Sequence, residues 1–277
     1  MKLHTRIAAA GACLLVSLSP VHADAEKKVR LLRTPSGVRF GLLGDKGKSP
    51  APTLFVFAGG IEDSLKSADY NRIGRLLAKQ GYLCVSLDLP CHGHDVNAKE
   101  PAGLDGWRQR IDQGEDMVAK FTGRATAVLD HLIKEGYTHP HRVAVCGTSR
   151  GGFLALHFSV ADPRVRCVAA FAPVTDLLVL REFAKADKPK RARTLALIRH
   201  ADKLAGRAVW LCIGNHDERV GTDEAIALTR KVVKAAVAQK KPALVELHVM
   251  PTVGHRIHGT AHGEAAAWVA ARLKESK

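Results

Sequence analysis

A strand pattern that passes straight into a helix pattern, with glycines on both sides of one serine and no loop between, constrains this chain more than any other feature. Val143 and Val145 carry an apolar, β-branched run into Gly147-Thr148-Ser149-Arg150-Gly151, and Gly152-Phe153-Leu154-Ala155-Leu156 continues as a helix-compatible stretch. A serine that ends a buried strand and opens a helix sits on a sharp, strained turn that pushes its hydroxyl out of the sheet. Gly147 and Gly151 suit that turn, because a Cβ at either place would meet the neighbouring strand or helix. A bare G-x-S-x-G is a weak signal. The strand before it and the helix after it turn Ser149 from part of a glycine-rich turn into a candidate nucleophile.

The rest of the chain supplies a matching scaffold. Two short β-type runs, 29–33 and 38–43, flank Thr34-Pro35-Ser36-Gly37 and predict a hairpin. Strand and helix patterns then alternate, with strands expected at 53–58, 82–89, 143–146, 165–171, 209–213 and 244–250. Ile73, Leu76 and Leu77 mark one helix face, ended by Gly81, and Met117, Phe121, Ala125, Val128, Leu129 and Leu132 mark a longer one that stops at Gly136. Thr222 is the expected cap of a third helix, with Asp223 and Glu224 favouring its N-terminus, and Ala265, Trp268, Val269 and Leu273 face the last. Continuous apolar strands separated by helices predict an α/β fold, a mostly parallel sheet with helices on both faces. The irregular stretches 91–112 and 176–207 are where a lid or substrate-binding insertion is expected.

Residues 1–23 read as a secretory signal peptide. Lys2 and Arg6 form a basic start, residues 7–18 an apolar core too short to span a bilayer, and Val21-His22-Ala23 a small-residue cleavage site. Cys13 is flanked by apolar residues on both sides and is not read as a lipidation site. The expectation is a periplasmic or secreted protein whose mature part, 24–277, forms one catalytic domain of about 250 residues, a usual size for one buried core. The full chain carries a net charge of +15. Only residues 185–199 form a dense basic block, and without interleaved aromatics it offers no stacking platform for single-stranded nucleic acid. An anionic substrate or an acidic polymer is the partner such a block would favour. Five cysteines follow the leader: Cys84, Cys91, Cys146, Cys167 and Cys212. Their odd number and their places in apolar runs point to buried thiols and not to a disulfide framework.

A serine hydroxyl attacks well only when a base takes its proton and a third group orients that base. On a sheet of this kind the acid and then the histidine should follow the serine, each past a strand end. Asp217 lies just past 209–213, and His255 just past 244–250. Asp176, past the preceding strand, and Glu218 compete for the acid's place; His258 and His262 neighbour His255, the latter reading as first-turn helix. An oxyanion would be held by the backbone N–H of Arg150 and by one from the Ala58-Gly59-Gly60-Ile61 loop, either Gly60 or Ile61.

With these residues in place, the chain resembles the α/β-hydrolase superfamily over nearly all its mature length. Ala58-Gly59-Gly60, Asp88-Leu89-Pro90-Cys91-His92-Gly93 and the G-T-S-R-G-G elbow are similar to the dienelactone hydrolase and prolyl oligopeptidase-type catalytic domains. The resemblance implies an eight-stranded sheet with an antiparallel first hairpin, a Ser149–Asp217–His255 triad, and activity as a carboxylesterase, peptide hydrolase or polysaccharide deacylase. Most members place a histidine where this chain has Ala58, and no β-propeller precedes the elbow here, so an ester is the expected substrate and a short peptide or amide the second. No metal or organic cofactor is required. Two other readings compete: His92, His94 and Asp95 have the spacing of a zinc-binding run, and the fold also serves as a binding protein with a dead site. If the leader reading holds, mass spectrometry of the exported protein will find Asp24 at the N-terminus; an active cytosolic form retaining residues 1–23 would contradict it.

Overall fold

The alternating strand and helix patterns become an eight-stranded sheet. The computed structural model describes residues 28–187 and 189–274; the expected leader and Cys13 lie outside them. Strands β1 (Arg30–Arg33) and β2 (Arg39–Leu43) form the expected hairpin. Then follow β3 (Ala51–Phe57), helices α1 (Ile61–Lys66) and α2 (Arg72–Ala78), and β4 (Leu83–Ser86). Helices α3 (Gly103–Asp112) and α4 (Met117–Lys134) lead to β5 (Thr138–Thr148), α5 (Arg150–Ala161) and β6 (Val165–Phe171). The second half runs α6 (Pro189–Thr194), α7 (Ala201–Leu204), β7 (Ala208–His216), α8 (Thr222–Ala238), β8 (Val245–Val253) and α9 (Ala261–Lys274). The sheet order is β1-β2-β4-β3-β5-β6-β7-β8; β2 is antiparallel to both its neighbours, and the remaining pairs are parallel.

Successive side chains of a strand point to opposite faces, and this sorts the core into two layers. Phe55, Phe57, Val143, Val145, Val168, Ala170, Leu211 and Ile213 pack on the side covered by α4, α5 and α8. Leu54, Val56, Ala144, Cys146, Cys167, Ala169, Trp210 and Cys212 pack on the other, against apolar residues of α1, α2 and α9. The division puts Cys84, Cys146, Cys167 and Cys212 all on one face, and they and Cys91 are buried.

Four details differ from the sequence reading. Strands β5, β7 and β8 run past their apolar segments, because ladder pairing continues through polar residues such as His216, which registers with Val253. Leu76 lies on the rim of α2, exposed, while Ile73 and Leu77 fill the core. The cap of α8 is Gly221 (φ +83°), with Thr222 as the first helical residue. Neither irregular stretch is free of structure: 91–112 contains α3, 176–207 contains α6 and α7, and α3 packs against α6.

Burial pushes the thiols of Cys91, Cys167 and Cys212 up to about 12, so none of the three supplies a thiolate near neutrality. The described cysteines should therefore resist a thiol reagent in the native protein and titrate only in denaturant. A pair that stays unreactive in denaturant until reduced would contradict their placement.

Candidate active site

The serine is placed by close packing. Thr148 ends β5, Arg150 begins α5, and Ser149 between them has φ 56° and ψ −120°, a strained conformation for a residue with a side chain. A Cβ on Gly151 would lie 1.9 Å from the Phe57 carbonyl oxygen, and one on Gly147 would lie 2.3 Å from the Gly151 backbone. Only glycine lets β3, β5 and α5 approach this closely. The turn is also tied to the next strand: the Ser149 N–H donates to the Phe171 carbonyl (2.9 Å), and the Ser149 carbonyl accepts from the Val174 N–H (3.1 Å).

Asp217 and His255 meet across the ends of β7 and β8. The Asp217 Oδ2 accepts from His255 Nδ1 at 2.8 Å, and its Oδ1 accepts from the backbone N–H groups of Arg219 (3.0 Å) and Val220 (3.3 Å). The carboxylate is buried. Burial alone would raise its pKa, but the His255 hydrogen bond and charge, together with the two N–H donors, outweigh burial and hold the carboxyl below its ordinary value. The acid loop is braced from behind by Thr222, whose Oγ1 accepts from the Asp217 N–H (3.0 Å) and donates to the Gly214 carbonyl (2.7 Å). Gly254, at φ +76°, turns the chain out of β8 towards His255, and its N–H donates to the His216 carbonyl (2.8 Å). With Nδ1 held by Asp217, Nε2 is the ring nitrogen left to face a hydroxyl. Ser149 and His255 line one cavity of about 540 Å³. No hydrogen bond joins them among the described residues, and such contacts commonly tighten only around substrate.

The competing acids lie elsewhere. Asp176 caps a 3₁₀ turn, accepting from the Leu178 N–H (2.9 Å), and Glu218 is exposed beside His216. His258 bonds Thr260, and His262 stacks on Phe171 in the cavity wall from the first turn of α9.

The loop 58–61 separates the two oxyanion candidates. Ile61 is buried and its N–H donates to Asp88 Oδ1 (2.9 Å), while the N–H groups of Ala58 and Gly59 donate to Ser64 Oγ (3.1 and 3.2 Å). The Gly60 N–H has only a long contact of 3.4 Å with Asp63 and is the freest donor of the loop. The Arg150 N–H opens α5 and has no intrahelical acceptor. Asp88 also takes Arg39 Nη1 (2.8 Å), and a Cβ on Gly93 would lie 2.2 Å from its Oδ1. The Asp88 motif thus clamps two loops together. The sequence reading of the site missed the bracing role of Thr222: a threonine followed by two acids looks like a helix cap.

The His92–Asp95 run is a structural loop, which overturns the zinc reading. Asp95 accepts from the Cys91 N–H (2.8 Å), Arg110 Nη1 (2.7 Å) and Arg124 Nη1 (2.8 Å), and the His92 ring bonds the Pro90 carbonyl. His94 is exposed. Among the described residues, no three His, Cys, Asp or Glu side chains gather in a position to hold a metal ion, nor is any helix long and apolar enough to cross a membrane. The described residues of the basic block 185–199 contribute nothing to the cavity wall; Arg72, Arg150, Arg219 and Arg256 line it instead.

Comparison with known proteins settles the lineage. The model of the prolyl oligopeptidase family matches residues 122–274, more than half of the chain and the part holding all three candidate catalytic residues. The chain belongs to the prolyl oligopeptidase family. It is a serine hydrolase with the α/β-hydrolase fold. Among solved structures it is similar to TT1662 from Thermus thermophilus (TM-score 0.64, 19% identity, covering 90% of this chain and 100% of the other). An acylaminoacyl peptidase from Pyrococcus horikoshii gives a TM-score of 0.67 at 14% identity, with 91% of this chain matched to 42% of that one. A cold-adapted esterase from an Arctic intertidal metagenomic library gives 0.64 at 18% identity, covering 88% and 93%. Among curated proteins no sequence matches.

Thr222→Val should leave two backbone groups of the acid loop unpaired, lowering stability by about 1–3 kcal/mol and reducing kcat, while Thr222→Ser restores both. Unchanged kcat in Thr222→Val, measured with thermal unfolding as a control, would show that the brace is not needed.

Proposed function

We propose that the protein is an exported carboxylic ester hydrolase working through Ser149, His255 and Asp217. The observation that carries the reading is the 2.8 Å Asp217–His255 pair, buried at the carboxylate, opening onto the same cavity as the strained Ser149. His255 takes the hydroxyl proton at Nε2 as Ser149 Oγ bonds to the ester carbonyl carbon. The carbonyl oxygen gains negative charge and is held by the backbone N–H groups of Arg150 and Gly60. His255 then gives its proton to the departing alcohol as the carbon–oxygen bond breaks, leaving an acyl-Ser149. Water repeats the sequence, losing a proton to His255 and releasing the acid. Asp217 keeps the proton of neutral His255 on Nδ1 and stabilises the imidazolium; it does not itself become protonated. The leader-like residues 1–23 support export.

Hydrolysis of short peptides or amides by the same groups is the second reading. It is favoured by the family's name and by a TM-score of 0.67 with an acylaminoacyl peptidase, although this chain spans less than half of that protein's length. Matched esters and anilides of one acyl group separate the two by the ratio of their kcat/KM values.

A fluorophosphonate should label the protein once, and Ser149→Ala should abolish labelling without unfolding it. Asp217→Asn should lower kcat on the order of 10⁴-fold, as in the best-studied serine triad, whereas Asp176→Asn should change it little. A larger loss from Asp176→Asn would move the acid to the loop after β6. Absence of labelling would sink the mechanism.

A further inference from the structure

The wall of the Ser149 cavity is cationic. Arg72, Arg150, Arg219 and Arg256 line it, with Asp69 as the single carboxylate among its lining residues. Two of these arginines are held close to the reacting groups by the chain itself: Arg150 follows the nucleophile, and Arg219 follows the acid by two residues. Arg219 is anchored, its Nη2 donating to Glu182 Oε1 at 2.7 Å, but its Nη1 is buried without an acceptor. Arg150 makes no ion pair among the described residues, and its buried Nε also lacks an acceptor. Burial holds the Arg150 guanidinium below its ordinary value; the charge of Arg219 acts in the same direction, against opposing effects of Tyr70, Asp63 and Glu182.

A guanidinium half removed from water beside a second one destabilises the folded protein unless an anion offsets it. Loss of the proton is no remedy, since arginine stays charged at any physiological pH. Glu182 ion-pairs with Arg219, whereas Arg150 has no carboxylate in ion-pair contact among the described residues, so a monoanion is the complement this pair lacks. Planar, forked N–H donors favour a carboxylate. We propose that the cavity selects substrates bearing a free carboxylate in addition to the scissile bond, bound between Arg150 and Arg219. This rests on the serine hydrolysis reading above and names the substrate class of that site. It also relocates the anion preference, which the sequence placed in residues 185–199, to arginines dispersed along the chain.

Two matched pairs of esters test it. On the acyl side, 4-nitrophenyl hemiglutarate is compared with 4-nitrophenyl pentanoate; on the alcohol side, the butanoyl ester of 4-hydroxybenzoate with that of 4-hydroxybenzamide. In at least one pair the anionic member should be preferred in kcat/KM by roughly tenfold or more, the scale of one charge-assisted hydrogen bond. The preference should collapse in Arg219→Gln or Arg150→Gln and persist in Arg199→Gln, whose charge lies outside the cavity. Glutarate should inhibit the wild-type protein competitively and glutaramide should not, a readout that needs no variant to fold. Parity in both pairs, a preference that survives both cavity substitutions, or its loss in Arg199→Gln would overturn the proposal. Fluorophosphonate labelling of the same wild-type sample keeps the two readings apart. Labelled protein without anion preference defeats only the carboxylate site; unlabelled protein defeats the serine mechanism beneath it.

Discussion

The contact on which the rest of the structure depends is the approach of Gly151 to the Phe57 carbonyl. Helix α5 can begin directly at the end of β5 only because no Cβ stands at Gly147 or Gly151. That junction forces Ser149 to a positive φ, and the carbonyls and N–H groups of β6 and its following loop hold it there. Strain of this kind, typically about 1–3 kcal/mol, persists because β3, β5 and β6 lie side by side with both faces buried. The same packing presents the Arg150 N–H at the start of a helix, where it has no backbone acceptor and can serve a developing oxyanion. One steric fact therefore sets both the proposed nucleophile and half of the proposed charge-stabilising device.

The proposed acid and base depend on a different device, the pairing of β7 with β8. Ladder bonds run on to His216 and Val253, and the Gly254 N–H closes the end on the His216 carbonyl. Asp217 and His255 are thereby brought together although 38 residues separate them. The depressed pKa of Asp217 links this contact to stability. A carboxyl that ionises more readily folded than unfolded stabilises the fold fully above the ordinary carboxylate pKa of about 3.9. That contribution is lost as pH falls towards and through the lower folded value. Acid should therefore weaken the acid loop along with the catalytic pair.

Much of this was legible in the chain. Ser149, Asp217 and His255 each stand just past an apolar strand, in the order a parallel sheet of this topology needs, so local patterns and chain order single them out as candidates. What escaped reading was long-range. That Ile61 gives its N–H to Asp88, leaving Gly60 freer, depends on a loop 27 residues away. Thr222 looked like a helix cap because its partners, Gly214 and Asp217, converge only when the loop after β7 folds back. Charge is legible only along the chain for the same reason. The block 185–199 is conspicuous along the chain, while Arg72, Arg150, Arg219 and Arg256 cluster only in space.

The central claim is that Ser149 and His255 act as one unit, and its most direct test is the kinetic cycle of Ser149→Ala, His255→Ala and the double variant. Since neither residue works without the other, kcat/KM of the double variant should lie within about threefold of either single one. Losses that multiply, so that the double variant falls by the product of the two single effects, would show two independent contributions and contradict the account.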